Sequence, residues 1–169
     1  MFEKKVIIKT KRGKKMLIEE ALELEEEKEV EEIPSFIHSY LCGEIMEQLA
    51  QNKQFKAFPE LTLAIDSGLT PDISIYPRQK ERPDFFRDIS KFPDMPVVAI
   101  EIISSSQNIQ DLLEKAEKLI QNNVKAVWTV EPFTNTVFVT TKDGEKRFHN
   151  TEIESEGIKV DFKQIFGTN

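Results

Sequence analysis

Three residues of this sequence have the types and the order to handle a divalent cation and an anion: Asp72, Glu101 and Lys115. Glu101 is the most informative. It stands inside "VVAIEIISSS", residues 97–106, where Val97, Ala99 and Ile103 alternate with Val98, Ile100 and Ile102. A strand that is apolar on both faces is a buried strand. An unpaired charge inside it is strongly unfavourable, so Glu101 needs a partner. Asp72 opens the strand just before this one. If the two strands are neighbours, both carboxylates reach one point. Two hard oxygen ligands with open water positions suit Mg²⁺ or Mn²⁺, and such an ion supplies the charge that Glu101 lacks. The alternatives are structural: Asp72 as a turn cap, and Glu101 against an Arg or Lys of a neighbouring element.

Lys115 lies on the clearest helical pattern, "NIQDLLEKAEKLIQNN". Ile109, Leu112, Leu113, Ala116, Leu119 and Ile120 form one apolar stripe. Asn108 can cap its start, and Asn122 with Asn123 can end it. At about 100° per residue, Lys115 borders the stripe next to Leu112, while Lys118 points away. A border lysine can reach over the sheet towards the end of the Glu101 strand. There it can stabilise charge on an attacking water or a phosphoryl group. The competing reading is an i,i+4 ion pair with Asp111.

The remaining segments have to position these residues. "KVIIKTKRGKKMLI" reads as a hairpin around Arg12-Gly13. The block at 19–32 carries nine Glu and one Lys, and predicts a solvated helix or connector. "PSFIHSYLCGEIMEQLAQ" predicts a helix from about residue 35 to 51, started by Pro34 and Ser35, with Ile37, Leu41, Ile45, Met46 and Leu49 at helical spacing. "FKAF", "LTLAID" and "DISIY" read as short strands. "PRQKERPDFFRDISKFPDMP" reads as a loop with one helical turn. "AVWTV" and "TVFVTT" are strands that turn near Thr134-Asn135. "EKRFHN" and "GIKV" read as edge strands, and "DFKQIF" as a last helical turn. The Glu101 strand, its helix and strand 126–130 form a right-handed crossover with parallel strands. The expected class is α/β (α+β), a mixed sheet with helices on its faces, with residues 1–33 as a hairpin and Glu-rich segment before a domain at 34–169.

Of 169 residues, 39% are apolar and 31% charged, as in an ordinary globular domain. No apolar run is long enough to span a bilayer, and "MFEKKVIIKT" lacks the features of a signal peptide. A cytoplasmic location without membrane contact is expected. Cys42 is the single cysteine, which excludes an intrachain disulfide and a Cys-based zinc site. It reads as a small packing residue. The net charge of −7 argues against simple electrostatic attraction to nucleic acid. The first fifteen residues, however, hold seven basic side chains against Glu3, a candidate grip on backbone phosphates.

The order "PDISIYP", "VVAIEIISSS", "DLLEKAEKL", "VKAVWTVEP" resembles the bacterial Uma-type family of restriction endonucleases, within the PD-(D/E)XK nuclease superfamily. The matching positions are Pro71-Asp72, Glu101 to Ser104, Asp111 with Lys115, and Trp128 with Glu131-Pro132. "PSFIHSY" resembles the start of the family's first helix, with His38 at a family histidine, and "GIKVDFKQIF" resembles its closing segment. The likeness covers about residues 34–166. Two positions depart from it: Ile103 stands where the superfamily pattern has its lysine, and Leu119 where family members often have Tyr.

The resemblance implies a restriction-endonuclease-like fold, often a homodimer. It implies a metal site of Asp72 and Glu101 helped by the backbone carbonyl of Ile102, with Glu44 as an additional acidic candidate. The implied reaction is hydrolysis of nucleic-acid phosphodiesters, with DNA as the expected substrate, by a metal-activated water. Lys115 then does the superfamily lysine's work from the helix. His38 reads as a helix-start or packing residue rather than a base. A second reading stands beside this one: a catalytically inactive relative that keeps the fold as a binding or dimerisation module.

Overall fold

The computed structural model describes residues 7–9, 15–17, 35–79 and 83–167. The chain divides between Ile33 and Pro34. In the first part, β1 (Ile7–Lys9) and β2 (Lys15–Leu17) pair antiparallel, Ile8 opposite Met16, as the hairpin reading expects. The Glu-rich block lies outside the described residues.

The second part is built on six strands in sequence order: β3 (Phe55–Pro59), β4 (Ile73–Pro77), β5 (Val98–Ile102), β6 (Ala126–Glu131), β7 (Thr136–Thr141) and β8 (Gly144–His149). Every neighbouring pair is antiparallel except β5–β6. That pair is joined by helix α2 (Ile109–Gln121), the crossover that a parallel pair requires. Helix α1 (Phe36–Ala50) precedes the sheet. A two-stranded unit, β9 (Glu152–Ser155) with β10 (Ile158–Asp161), and helix α3 (Phe162–Phe166) follow it.

Alternation along β5 sorts the core into two halves. Val98, Ile100 and Ile102 pack with Leu41, Ile45 and Leu49 of α1 and with Phe162 and Ile165 of α3. Ala99 faces the other way, against Ala116 and Leu119 of α2 and Leu63 and Ile65. Glu101 shares the parity of Ala99, so it stands on the α2 face. On the α1 face, Trp128 is fully buried, edge-on to Phe162 with ring centres 6.1 Å apart, and its indole N–H donates to Ser155 Oγ at 2.9 Å. Gln48 of α1 ties to the start of α3 at both ends of its amide: Oε1 accepts from Asp161 N at 2.8 Å and Nε2 donates to Asp161 O at 3.2 Å.

Three local expectations are corrected. "LTLAID" is not a strand: Leu63 makes only isolated bridges to Leu69 and Phe92. Asp66 and Gly68 adopt positive φ and turn the chain back, which still buries Leu63 and Ile65. The segment before β5 forms no helix among its described residues, only a single turn closed by Arg87 N donating to Asp84 O at 3.2 Å. Asp84 and Asp88 side chains there accept from the backbone of Phe86 and Ile89, a local bonding pattern that competes with helix. "GIKV" is not an edge of the main sheet; it pairs with Glu152–Ser155 in the separate two-stranded unit.

Candidate active site

The site lies where the end of β5 meets the residues leading into β4. Ile73 is paired with Ile100, so Asp72, one residue before β4, comes level with Glu101. Pro71 holds the preceding residue out of the helical region, and the backbone of Asp72 is pinned by Glu60 N donating to Asp72 O at 3.0 Å. The Asp72 carboxylate is engaged at both oxygens. Oδ2 accepts the backbone N–H of Ile102 at 2.6 Å, and Oδ1 meets His38 Nε2 at 3.1 Å.

Glu101 is almost completely buried, and its Oε1 sits 2.8 Å from Lys115 Nζ. The same ammonium donates to the carbonyl of Thr70 at 2.8 Å. Lys115 therefore ties the buried acid to the segment that carries Asp72, and its ion pair is with Glu101 rather than Asp111. The helix earns this placement from its cap and its stripe. Asn108 accepts from Gln110 N at 3.0 Å, and Leu112, Ala116 and Leu119 go under, which leaves Lys115 at the border of the buried face. Lys118 points away from the site and pairs with Asp66.

Burial pushes the Glu101 carboxyl up to about 7. The Lys115 charge opposes this, the Asp72 charge adds to it, and the His38 charge opposes it. The four side chains thus form one electrostatic cluster. His38 is held at the start of α1, where Ser35 Oγ accepts from its N–H at 3.2 Å. Its imidazole rises to about 10, first because of the Asp72 hydrogen bond and next because of Cys42, whose Sγ is 3.9 Å from Nδ1. Glu101 is closed off at 3% exposure, whereas Asp72 at 22% and Lys115 at 28% face solvent.

The structure therefore brings Asp72, Glu101 and Lys115 to one place. It also adds His38, which sequence reasoning left as a helix-start residue. The available signal was its third position after the Ser35 cap, which aims it back along the helix axis. Ile102 enters through its N–H to Asp72. Glu44, six positions beyond His38 and about 120° around the helix from it, makes none of these contacts. Thr129, opposite Glu101 on β6, is buried with no hydrogen-bond partner for its hydroxyl.

Do these groups suit a divalent cation? Among the described residues no three His, Cys, Asp or Glu side chains are placed to hold a metal ion by themselves. Two neighbouring carboxylates are present, both hard oxygen donors, and one of them is buried beside like charge. Mg²⁺ is ordinarily held by one or two carboxylates and completes its shell with water and substrate phosphate. The donor set fits that ion and does not fit a closed structural zinc site.

The fold is a mixed α/β domain, a six-stranded sheet flanked by helices. Residues 18–167 match the Uma2 family, described as "Putative restriction endonuclease". The chain belongs to that family. None of the curated proteins matches it. Among solved structures it is similar to a nuclease of the DUF820 group from Anabaena variabilis, itself titled putative, at 20% identity and a TM-score of 0.67 over 79% of this chain and 82% of that one. It also aligns with the DrdV–DNA complex at 11% identity and a TM-score of 0.38, over 62% of this chain and 9% of that one. No helix among the described residues is long and apolar enough to cross a membrane.

Proposed function

We propose that this protein is a divalent-metal-dependent nuclease that hydrolyses phosphodiester bonds of DNA, with Asp72, Glu101 and Lys115 as its working residues. One observation carries the reading: a carboxylate buried in β5, met by a lysine at 2.8 Å, with a second carboxylate level with it just before the neighbouring strand. Membership of a family described as restriction endonucleases supports it.

Asp72 and Glu101 would hold Mg²⁺ or Mn²⁺, with the Ile102 carbonyl as a further oxygen donor. When bound, the ion supplies Lewis acidity towards a phosphoryl oxygen and lowers the pKa of a water. Lys115 places a positive charge beside that point, where it offsets charge that grows as the phosphodiester is attacked. The Thr70 carbonyl keeps the ammonium in position. The buried side of the cluster excludes bulk water, and the exposed side, at Asp72 and Lys115, admits the substrate backbone. We extend the proposal to a cytoplasmic homodimer, whose two sites suit the two strands of a duplex.

A non-catalytic binding module has one observation in its favour. Asp72 and Glu101 each already hold a cationic partner, His38 and Lys115. A single experiment separates the two readings: plasmid and single-stranded DNA incubated with Mg²⁺ or Mn²⁺ and wild type, Glu101→Gln or Lys115→Met. The nuclease reading expects metal-dependent cutting by wild type and a loss of about 100-fold or more in both variants. No cutting by wild type with either metal would establish the module.

A further inference from the structure

The Asp72 carboxylate is clamped from two sides, and the two clamps differ in kind. The Ile102 N–H on Oδ2 is backbone in a buried strand and cannot be lost without breaking β5. The His38 Nε2 on Oδ1 is a side chain from another element, at 3.1 Å. With Oδ2 fixed, the carboxylate still has freedom to rotate about its last bond unless Oδ1 is also held. His38 is itself well anchored: its N–H is capped by Ser35, its Nδ1 side is occupied by Cys42 Sγ at 3.9 Å, and its side chain is only 13% exposed. Each carboxylate oxygen has two lone pairs. One donor on each oxygen therefore leaves one acceptor direction on each, and fixes where those directions point.

We propose that His38 is a positioning residue that sets the orientation of the Asp72 carboxylate for a divalent cation shared with Glu101. This rests on the metal-dependent reading above and adds a residue to it. His38 does not touch the cation; it donates from Nε2–H to a ligand, the outer-shell arrangement that ordinarily fixes the geometry of ligating carboxylates. Nε2–H is present in the protonated ring and in one neutral tautomer, so the role does not depend on the charge of the ring. The helix start matters for the same reason. Ser35 fixes the first turn of α1, and that turn is what delivers an imidazole to the start of β4.

The test uses two polar replacements that differ in reach. In His38→Gln the amide nitrogen lies near the place of Nε2 and can still donate to Asp72. In His38→Asn it lies near Nδ1 and cannot. Mn²⁺ is titrated calorimetrically into the full-length wild type and both variants, with thermal unfolding recorded on each sample. The expected result is near wild-type affinity for Gln and a loss of about 10–100-fold for Asn, with the two variants unfolding at similar temperatures. Equal affinity in all three proteins overturns the proposal. So does tighter binding in both variants, which would make His38 a competitor for Asp72, and so does an equal loss in both. A second readout needs no variant: in wild type, Mg²⁺ must shift the His38 imidazole NMR resonances while Nε2 stays protonated, and unmoved resonances overturn the proposal. If wild type binds neither metal, the metal-dependent reading itself falls, an outcome distinct from metal binding that ignores His38.

Discussion

Glu101→Gln should make the metal-free protein more stable at neutral and alkaline pH, and the gain should vanish in acid. The folded carboxyl titrates at about 7, against 4.5 for the free group. Below pH 4.5 both states hold the proton and the acid exerts no penalty. Between 4.5 and 7 the unfolded chain ionises while the folded one keeps its proton, so wild-type stability falls as pH rises. Above 7 both are ionised and the penalty is constant. At roughly 1.4 kcal/mol per pH unit, the full penalty is about 3 kcal/mol. The substituted amide has nothing to titrate, so the difference in stability between wild type and variant isolates this group from every other carboxylate. The assay is urea unfolding of both proteins from pH 4 to pH 8.5 in a chelator. In thermal terms the pH-dependent part is roughly 6–12 °C for a domain of this size. Saturating Mn²⁺ should reverse the trend for wild type alone, because binding favours the ionised acid. A difference curve that is flat across pH 4.5–7 would refute the reasoning: Glu101 would then be fully compensated by Lys115 and under no pressure to keep a proton.

Other expectations follow from neighbouring contacts. Lys115→Met, measured by the same unfolding assay without metal, should lose about 3 kcal/mol at pH 8 and clearly less at pH 5, where Glu101 keeps its proton. The His38–Asp72 pair raises the imidazole from 6.5 to about 10. Its contribution should be fully present below pH 6.5 and lost as pH rises through 10, seen as a shrinking stability difference between wild type and His38→Gln. Thr129→Val removes a buried hydroxyl that has no partner. It should be neutral or stabilising, by about 1 kcal/mol, in equilibrium unfolding. Ser155→Ala strands the indole N–H of Trp128, and should cost about 1–3 kcal/mol in the same measurement.

Much of this architecture is legible locally. The stripe of α2 and its Asn108 cap, the Ser35 start of α1, and the all-apolar run of β5 are patterns of near neighbours, and periodicity reads near neighbours well. The β5–α2–β6 crossover follows from strand, helix, strand in that order. "LTLAID" misleads because its alternation also suits a turn that buries Leu63 and Ile65, and the positive φ at Asp66 and Gly68 is what decides between them.

The sequence by itself determined that Glu101 must have a partner, since a charge inside a strand apolar on both faces cannot stand alone. It also supplied the short set of candidates. Only the tertiary structure decided which candidate takes each place. Lys115 goes to Glu101 and the Thr70 carbonyl rather than to Asp111 on its own helix, because the border of the α2 face lies over the end of β5. His38, far from Asp72 in the chain, reaches it because the first turn of α1 ends beside the start of β4. An ion pair within one helix is a matter of spacing. An ion pair between elements depends on how their faces pack, and that is set by the whole core at once.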